Sequence, residues 1–197
     1  MQDTITKLAE LFQRLPGIGP RQAKRFVHYI LQSGRSYSDD LSKTIARLET
    51  DVLQCARCQR FYLKNRKEKC ELCENPLTPN ILLVVEKDAD LDNIRRSGSF
   101  EGWYFVLGGL IPILEEYPKK HIRLHELDKR IKELPDLQEI VLALSTNTLG
   151  DNTIEYLKSR FAKLNIKISV LGRGLSTGAE LEYSDANTLS HALTNRK

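Results

Sequence analysis

Residues 55–73 read CARCQRFYLKNRKEKCELC and contain all four cysteines of the chain. Two residues separate Cys55 from Cys58, and the same spacing returns at Cys70 and Cys73. A Cys-x-x-Cys turn directs two thiolates toward one point, so two such turns can close a tetrahedral Zn²⁺ site. Four thiolates leave no open ligand position, which predicts one structural zinc ion per chain and not a catalytic one.

Two disulfides are the alternative use of four cysteines, and they are typical of small secreted domains. That interpretation fits poorly with 197 residues that begin Met-Gln-Asp-Thr, without an apolar signal segment. No apolar run approaches the ~20 residues needed to span a bilayer. We therefore expect zinc, a cytoplasmic location and no membrane partner.

Positive charge is concentrated in the part of the chain that holds the cysteines. Residues 1–80 contain 14 Lys and Arg against 9 Asp and Glu, whereas residues 81–197 contain 16 against 17. The hydrophobic content of 41% and the charged content of 28% are ordinary for a globular protein. A basic half joined to a neutral half favours a polyanion-binding head on a second domain.

Three helices are predicted before the cysteines. The first covers residues 3–15 with Asp3 as its cap, and the second begins with Pro20 at its first position and ends near Gly34. The third is predicted to have Ser38 as its cap. Its apolar stripe consists of Leu41, Ile45, Leu48 and Val52.

The turn between the first two helices reads Leu15-Pro16-Gly17-Ile18-Gly19, as in a helix-hairpin-helix. Two glycines permit a tight turn and the close approach of another backbone. The first-turn amides of the second helix carry partial positive charge, which suits a phosphate group. The turn therefore predicts contacts to a nucleic-acid backbone through Gly17 and Gly19.

Basic residues follow this turn along one flank of the second helix. The predicted DNA-binding side chains are Arg21, Lys24 and Arg25, with His28 beside them. The opposite flank, predicted to be buried, consists of Ala23, Phe26, Val27 and Ile30. Such contacts ignore base sequence and weaken with salt. The alternative is an ordinary amphipathic helix whose basic face is only solvated. No aromatic platform for stacking bases is evident near the turn, so the preference for single or double strands stays open.

The second half alternates apolar runs with helical segments. Strands are predicted at residues 81–85, 103–107, 140–144 and 166–171, and helices at 88–96, 122–133, 151–164 and 185–194. Alternation of this kind predicts a mostly parallel sheet covered by helices.

Acidic residues cluster where the first of these strands ends. Glu86 is followed by Asp88, Asp90 and Asp92, which could hold Mg²⁺ for phosphoryl chemistry. A two-metal site needs further carboxylates from a neighbouring strand, and the candidate strand ends in Ser145-Thr146-Asn147, with no acid until Asp151. Helix capping by the aspartates is the favoured interpretation. His121 and His125 are expected to be surface residues, and no catalytic residue is predicted.

Four segments together closely resemble the bacterial RecR family of recombination mediators. They are LPGIGPRQAKR from residue 15, the CARC and CELC turns, ILLVVEKDADLDNIRRSGSFEGWYFVLGG from residue 81, and GRGLSTGAELEYSD from residue 172. The resemblance covers essentially the whole chain. It implies a helix-hairpin-helix domain in residues 1–53, a four-cysteine zinc finger in 54–76, a Toprim domain in 77–172 and a C-terminal wrapping segment in 173–197.

The resemblance also implies a function. Members of the family are non-catalytic DNA-binding clamps that work with a RecO-type partner to help load RecA recombinase on single-stranded DNA, as dimers or ring-shaped tetramers. It implies DNA contacts by Arg21 and Arg25, zinc ligation by the four cysteines, and a Toprim glutamate at Glu86. The acidic surface of Glu86, Asp88 and Asp90 would dock a partner.

Two other functions remain open at this point. One is a Toprim-type, Mg²⁺-dependent phosphoryl-transfer enzyme, a nuclease or topoisomerase-like protein, that uses Glu86 and Asp151. The other is a zinc-stapled assembly protein without direct DNA contact.

Overall fold

The computed structural model describes residues 3–64, 69–74, 79–113, 122–175, 178 and 180–196. The chain divides into two compact units, Met1–Leu53 and Gln54–Lys197. The predicted class, an α+β protein with a helix-hairpin-helix, a four-cysteine cluster, a Toprim domain with a parallel sheet and a C-terminal helix, is confirmed. Within the described residues, no helix is both long enough and apolar enough to cross a membrane.

The first unit consists of three helices: α1 (Thr4–Gln13), α2 (Pro20–Gln32) and α3 (Gly34–Asp51). Asp3 caps α1 as predicted, because its side chain accepts a hydrogen bond from the Ile5 amide. The small core between α1 and α2 is built around Ala9, Ala23 and Val27. Small side chains at these positions let the two helices approach closely, which fixes the turn between them.

The start of α3 differs from the prediction. The helix begins at Gly34, and Ser38 lies inside it, with its hydroxyl donating to the Arg35 carbonyl at 2.9 Å. Gly34 has a φ of +81°, a left-handed conformation that glycine adopts without steric cost, so α2 can end and α3 begin within one residue. Val52, expected on the helical stripe, instead opens strand β1 (Val52–Gln54).

The second unit is organised around a four-stranded sheet. Its strands are β3 (Ile81–Val85), β4 (Trp103–Val106), β5 (Glu139–Ala143) and β6 (Lys167–Val170), in the order β4-β3-β5-β6. All three pairings are parallel, as the continuous apolar runs predicted. A two-stranded sheet of β1 and β2 (Phe61–Leu63) and a short 3-10 turn at Glu71–Cys73 precede it.

Helices α4 (Asp88–Ser97), α5 (Leu124–Lys132) and α6 (Thr148–Phe161) pack on the four-stranded sheet. Helix α7 (Ala186–Thr194) follows in the chain, and none of its described side chains is buried. Alternate strand residues point to opposite faces, so Leu82 and Val84 belong to one apolar core and Leu83 and Val85 to the other. Parallel strands end at a common edge. Glu86 after β3 and Ser145 after β5 therefore lie next to each other.

Candidate functional site

The four cysteine side chains converge in the second unit. All are buried and free of disulfides, and their sulfur atoms lie within 4.8 Å of one another. Cys58 Sγ and Cys70 Sγ are 3.4 Å apart. A tetrahedral zinc with bonds of about 2.3 Å sets its sulfurs about 3.8 Å apart, so the cluster has the size of a Cys₄ zinc site. Within the described residues it is the one such group of three or more metal-ligating side chains.

The backbone around the first cysteine pair forms a closed turn. The Gln59 amide donates to the Cys55 carbonyl at 2.9 Å, and the Cys55 amide donates to the Arg60 carbonyl at 2.9 Å. Gln59 has a φ of +62°, which is unusual for a residue with a side chain. In the second pair the Cys73 amide donates to the Cys70 carbonyl at 2.9 Å. These turns hold the cysteine side chains in place.

The pKa values of the clustered cysteines shift in opposite directions. A hydrogen bond with Cys58 holds the pKa of Cys55 far below its usual value, and the same contact raises the pKa of Cys58. Four thiolates in one buried site repel one another unless a cation neutralises them. A divalent ion removes that conflict, because thiolates are the form in which cysteines bind metal.

Two contacts join the first cysteine turn to the sheet. The Val106 amide donates to the Cys58 carbonyl at 2.8 Å. Arg123 Nη1 donates to the carbonyls of Gln59 and Val106, at 2.9 and 3.0 Å, and its guanidinium lies 5.9 Å from the Phe61 ring centre. Burial lowers the pKa of Arg123. Sequence reasoning missed this residue, since its partner Gln59 lies 64 positions away in the chain.

Each acidic residue of the predicted docking surface has a partner within the chain. Glu86 accepts a hydrogen bond from the Ser145 hydroxyl. Asp88 accepts from the Phe61 amide at 2.8 Å, and Asp90 accepts from the Lys87 amide at 3.2 Å, which caps α4. Desolvation raises the pKa of Asp90. The capping interpretation therefore holds for Asp90, whereas Asp88 accepts from an amide outside the helix. The docking role stays a prediction.

The residues that follow β5 also make structural contacts within the chain. The Asn147 side chain caps α6 by accepting from the Gly150 amide at 2.9 Å. Gly150 is packed so tightly that a Cβ there would lie 1.8 Å from the Ser145 carbonyl oxygen. Asp151, the second carboxylate of the enzyme alternative, pairs with Arg173.

The two histidines considered as a metal pair give no site in the described part of the chain. His125 is exposed on α5, and His121 lies outside the described residues.

The turn between α1 and α2 has the predicted form. Gly17 has a φ of +78°, Gly19 is the N-cap of α2, and Pro20 occupies the first helical position. A Cβ added to either glycine would meet nothing within 4 Å, so this side of the turn faces open space. Arg21, Lys24, Arg25 and His28 are exposed on α2, while Ala23 and Val27 are buried.

Family models match most of the chain. They describe a RecR helix-hairpin-helix at residues 5–48, a Toprim domain at 80–172 and a RecR C-terminal region at 174–197.

Curated proteins that are similar over nearly the full length carry the name "Recombination protein RecR". The protein from Herpetosiphon aurantiacus is 36% identical over 201 residues, covering 99% of this chain and 97% of the relative. The Bdellovibrio bacteriovorus protein is 34% identical over 198 residues (98% and 96%), and that of Legionella pneumophila 35% over 195 residues (98% and 96%).

Proposed function

Since the chain belongs to the RecR family of recombination proteins, we propose that it is a DNA-binding recombination mediator with no catalytic activity of its own. The open face of the α1–α2 turn is the observation that carries this proposal. Two glycines there have open space where a Cβ would lie, and exposed basic side chains follow them. The first-turn amides of α2 at the same place have no intrahelical acceptors.

A phosphate group is the ligand that suits this turn. The amides of Arg21 and Gln22 lie in the first turn of α2, where helical geometry leaves them without backbone acceptors. Arg21, Lys24 and Arg25 add three positive charges on the same exposed flank. Amides and cations of this kind bind the sugar–phosphate backbone and do not read bases, so the binding is independent of sequence.

The absence of catalysis is proposed from the carboxylates. Phosphoryl transfer by a two-metal site needs several carboxylates free to face the same ions. Here Asp88 and Asp90 bind backbone amides, Glu86 bonds to Ser145, and Asp151 pairs with Arg173. The Mg²⁺-dependent enzyme therefore has no supporting observation among the described residues.

The cysteine cluster would hold one zinc ion through Cys55, Cys58, Cys70 and Cys73. Bound zinc would cross-link the two Cys-x-x-Cys turns. It would not catalyse a reaction, since four sulfur ligands fill its coordination sphere. The chain's own contribution is the pair of rigid turns and their attachment to β4 through Cys58 and Val106.

The finer parts of the proposal concern partners. We propose that the chain acts in the cytoplasm with a RecO-type protein, which docks on the surface of Glu86, Asp88 and Asp90, to help load RecA recombinase on single-stranded DNA. We also propose that it assembles as a homodimer or a homotetrameric ring around DNA. Exposed apolar side chains on the helical unit support assembly, among them Leu11, Ile45 and Leu48, which are 48%, 54% and 57% exposed.

Removal of the two arginines tests the DNA-binding proposal. The double variant Arg21→Ala/Arg25→Ala should bind DNA more weakly, and the slope of log K against log salt should fall by about 1.8 for a duplex and about 1.4 for a single strand. The matched control is Lys43→Ala/Arg47→Ala, which removes the same charge from exposed positions on α3. Equal losses in both variants, or an unchanged slope in the first, would refute the assignment.

A nuclease assay tests the absence of catalysis. Purified protein with Mg²⁺ should leave supercoiled and linear DNA intact. Cutting that disappears in Glu86→Ala would overturn the proposal.

A further inference from the structure

We infer that Tyr29 and Tyr37 form a stacking site for unpaired nucleobases, which gives the helical unit a preference for single-stranded nucleic acid. The inference rests on the proposed function, because it extends the same DNA-binding surface. It concerns a second contact, made to bases and not to phosphates.

The two tyrosine rings meet in an edge-to-face arrangement. Their centroids are 5.8 Å apart and their planes are inclined by 87°. Tyr29 is 60% exposed and Tyr37 is 43% exposed, so neither ring is part of a core. An edge-to-face pair uses one face of one ring and leaves other ring faces open to a third aromatic group. Two exposed rings that pack against each other can therefore stack with an unpaired base.

This pair depends on the early start of α3. With a helix beginning at Ser38, Tyr37 would precede it, and the sequence shows no platform near the turn. Because α3 begins at Gly34, directly after α2, Tyr37 lies in the first turns of α3, where its ring reaches Tyr29. The stacking site is therefore a product of the tight α2–α3 connection.

A groove with polar side chains along it surrounds the two rings. It has a volume of about 630 Å³ and is lined by Gln22, Arg25, Phe26, His28, Tyr29, Gln32 and Tyr37. Six of these seven side chains can donate hydrogen bonds or carry positive charge, and Phe26 is the exception. Donors and cations around aromatic rings match a nucleotide, which has a π-face, base-edge acceptors and a phosphate.

The groove is continuous with the proposed phosphate site. Arg21, Arg25 and Tyr29 are spaced four residues apart and share one face of α2. Eight residues of helix span about 12 Å. One strand advances about 3.4 Å per nucleotide in B-form geometry, so a strand bound at the hairpin reaches the tyrosines within a few nucleotides. In a duplex the base faces are already stacked on neighbouring pairs, so only an unpaired strand can use the rings.

Substitution of Tyr29 tests the inference. In Tyr29→Ala, affinity for a 20-nucleotide single strand of mixed sequence should fall at least about fivefold, while affinity for the duplex of the same sequence stays within about twofold. Tyr29→Phe keeps the ring and should bind like the unchanged protein. Leu31→Ala is the matched control, because Leu31 is 61% exposed on the same helix but does not line the groove. Circular dichroism and light scattering establish that each variant keeps its fold and its assembly state.

A spectroscopic signal adds a measurement that can be made on the unchanged protein. A single strand that contains 2-aminopurine should lose fluorescence on binding to the unchanged protein beyond the loss seen with Tyr29→Ala or Tyr37→Ala. No quenching by the unchanged protein would overturn the inference. Equal losses for single strands and duplexes, or a changed assembly mass specific to Tyr29→Ala, would also overturn it, the latter by showing that the groove binds a second copy.

The outcomes separate this inference from the function on which it rests. If Arg21→Ala/Arg25→Ala weakens binding to both forms of DNA and Tyr29→Ala changes neither, only the stacking site is wrong. If Arg21→Ala/Arg25→Ala leaves the affinity for both forms of DNA unchanged, the proposed DNA-binding function is itself wrong.

Discussion

Arg123 is the side chain whose removal should do most damage to the junction between the cysteine turns and the sheet. The informative substitution is Arg123→Met, because methionine keeps an unbranched apolar stem and removes the charge and all donors. The change deletes the hydrogen bonds to the Gln59 and Val106 carbonyls, at 2.9 and 3.0 Å.

The magnitude follows from these two bonds. A hydrogen bond from a charged donor contributes about 1.5–3 kcal/mol, which gives an upper range of about 3–6 kcal/mol for the pair. Two features reduce the loss. The Gln59 carbonyl keeps a second donor, Gln54 Nε2 at 3.1 Å, and burial already disfavours the Arg123 charge. We therefore expect the free energy of unfolding of the second unit to fall by about 2–3 kcal/mol.

Urea unfolding of the zinc-loaded protein measures this change. Trp103 is the single tryptophan and opens β4, so its fluorescence reports on the second unit. The control is Arg95→Met, which removes an arginine whose 3.8 Å ion pair with Glu71 is exposed and should change stability by less than about 0.5 kcal/mol. If Arg123→Met costs no more than this control, the guanidinium does not hold the junction and the reasoning is wrong.

Three further outcomes are expected. Removal of zinc by a chelator should lower the urea midpoint of the second unit, and an unchanged midpoint would contradict a structural role for the metal. Hydrogen bonding from Arg173 lowers the pKa of Asp151 from its usual 3.8. The contact therefore stabilises the fold above that value, and this stability is lost as the pH falls through the lower, folded-state pKa. In urea unfolding below about pH 4, Asp151→Asn should lose less stability with falling pH than the unchanged protein. Gly150→Ala should lower the free energy of unfolding by about 1–3 kcal/mol, because the new Cβ would clash with the Ser145 carbonyl. Thermal melting measures this loss. The control is Gly174→Ala, where a Cβ meets nothing within 4 Å.

The elements that the sequence predicts well are those encoded by local patterns. Strands β3, β4 and β5 come from continuous apolar runs, and buried strands need such runs because both faces of the sheet are covered. Strand β6 lies at the sheet edge and is only partly buried, and Lys167 and Ser169 interrupt its apolar pattern. The start of α2 follows from Pro20, whose missing N–H costs nothing at a first helical position. The paired Cys-x-x-Cys spacing likewise determines which side chains converge.

The start of α3 shows where local signals mislead. Ser38 is a good capping residue, but its hydroxyl bonds to Arg35 within an existing helix. The start of α3 is set by the left-handed backbone conformation of Gly34. A glycine can adopt this conformation but does not have to, so its presence in the sequence does not predict it. Because the contact between Tyr29 and Tyr37 depends on this start, the sequence could not predict it either.

The remaining interactions of the site join distant parts of the chain. Asp88 bonds to the Phe61 amide across 27 positions, and Arg123 to Gln59 across 64. Whether a surface carboxylate faces solvent or a backbone amide depends on how elements pack, which no periodicity records. The same limit applies to Gly150, whose close contact with Ser145 exists only once α6 lies against the end of β5.

The position of β4 gives the cysteine turns a protective role as well. β4 is the last strand on its side of the sheet, so its outer backbone groups would otherwise be open to pairing with a strand from another molecule. Val106 gives its amide to Cys58 and its carbonyl to Arg123. The first cysteine turn thus shields part of an exposed sheet edge against pairing with a strand from another molecule. If the first cysteine turn opened, this edge would be uncovered, and we expect such a chain to aggregate even while the rest of its sheet stays folded.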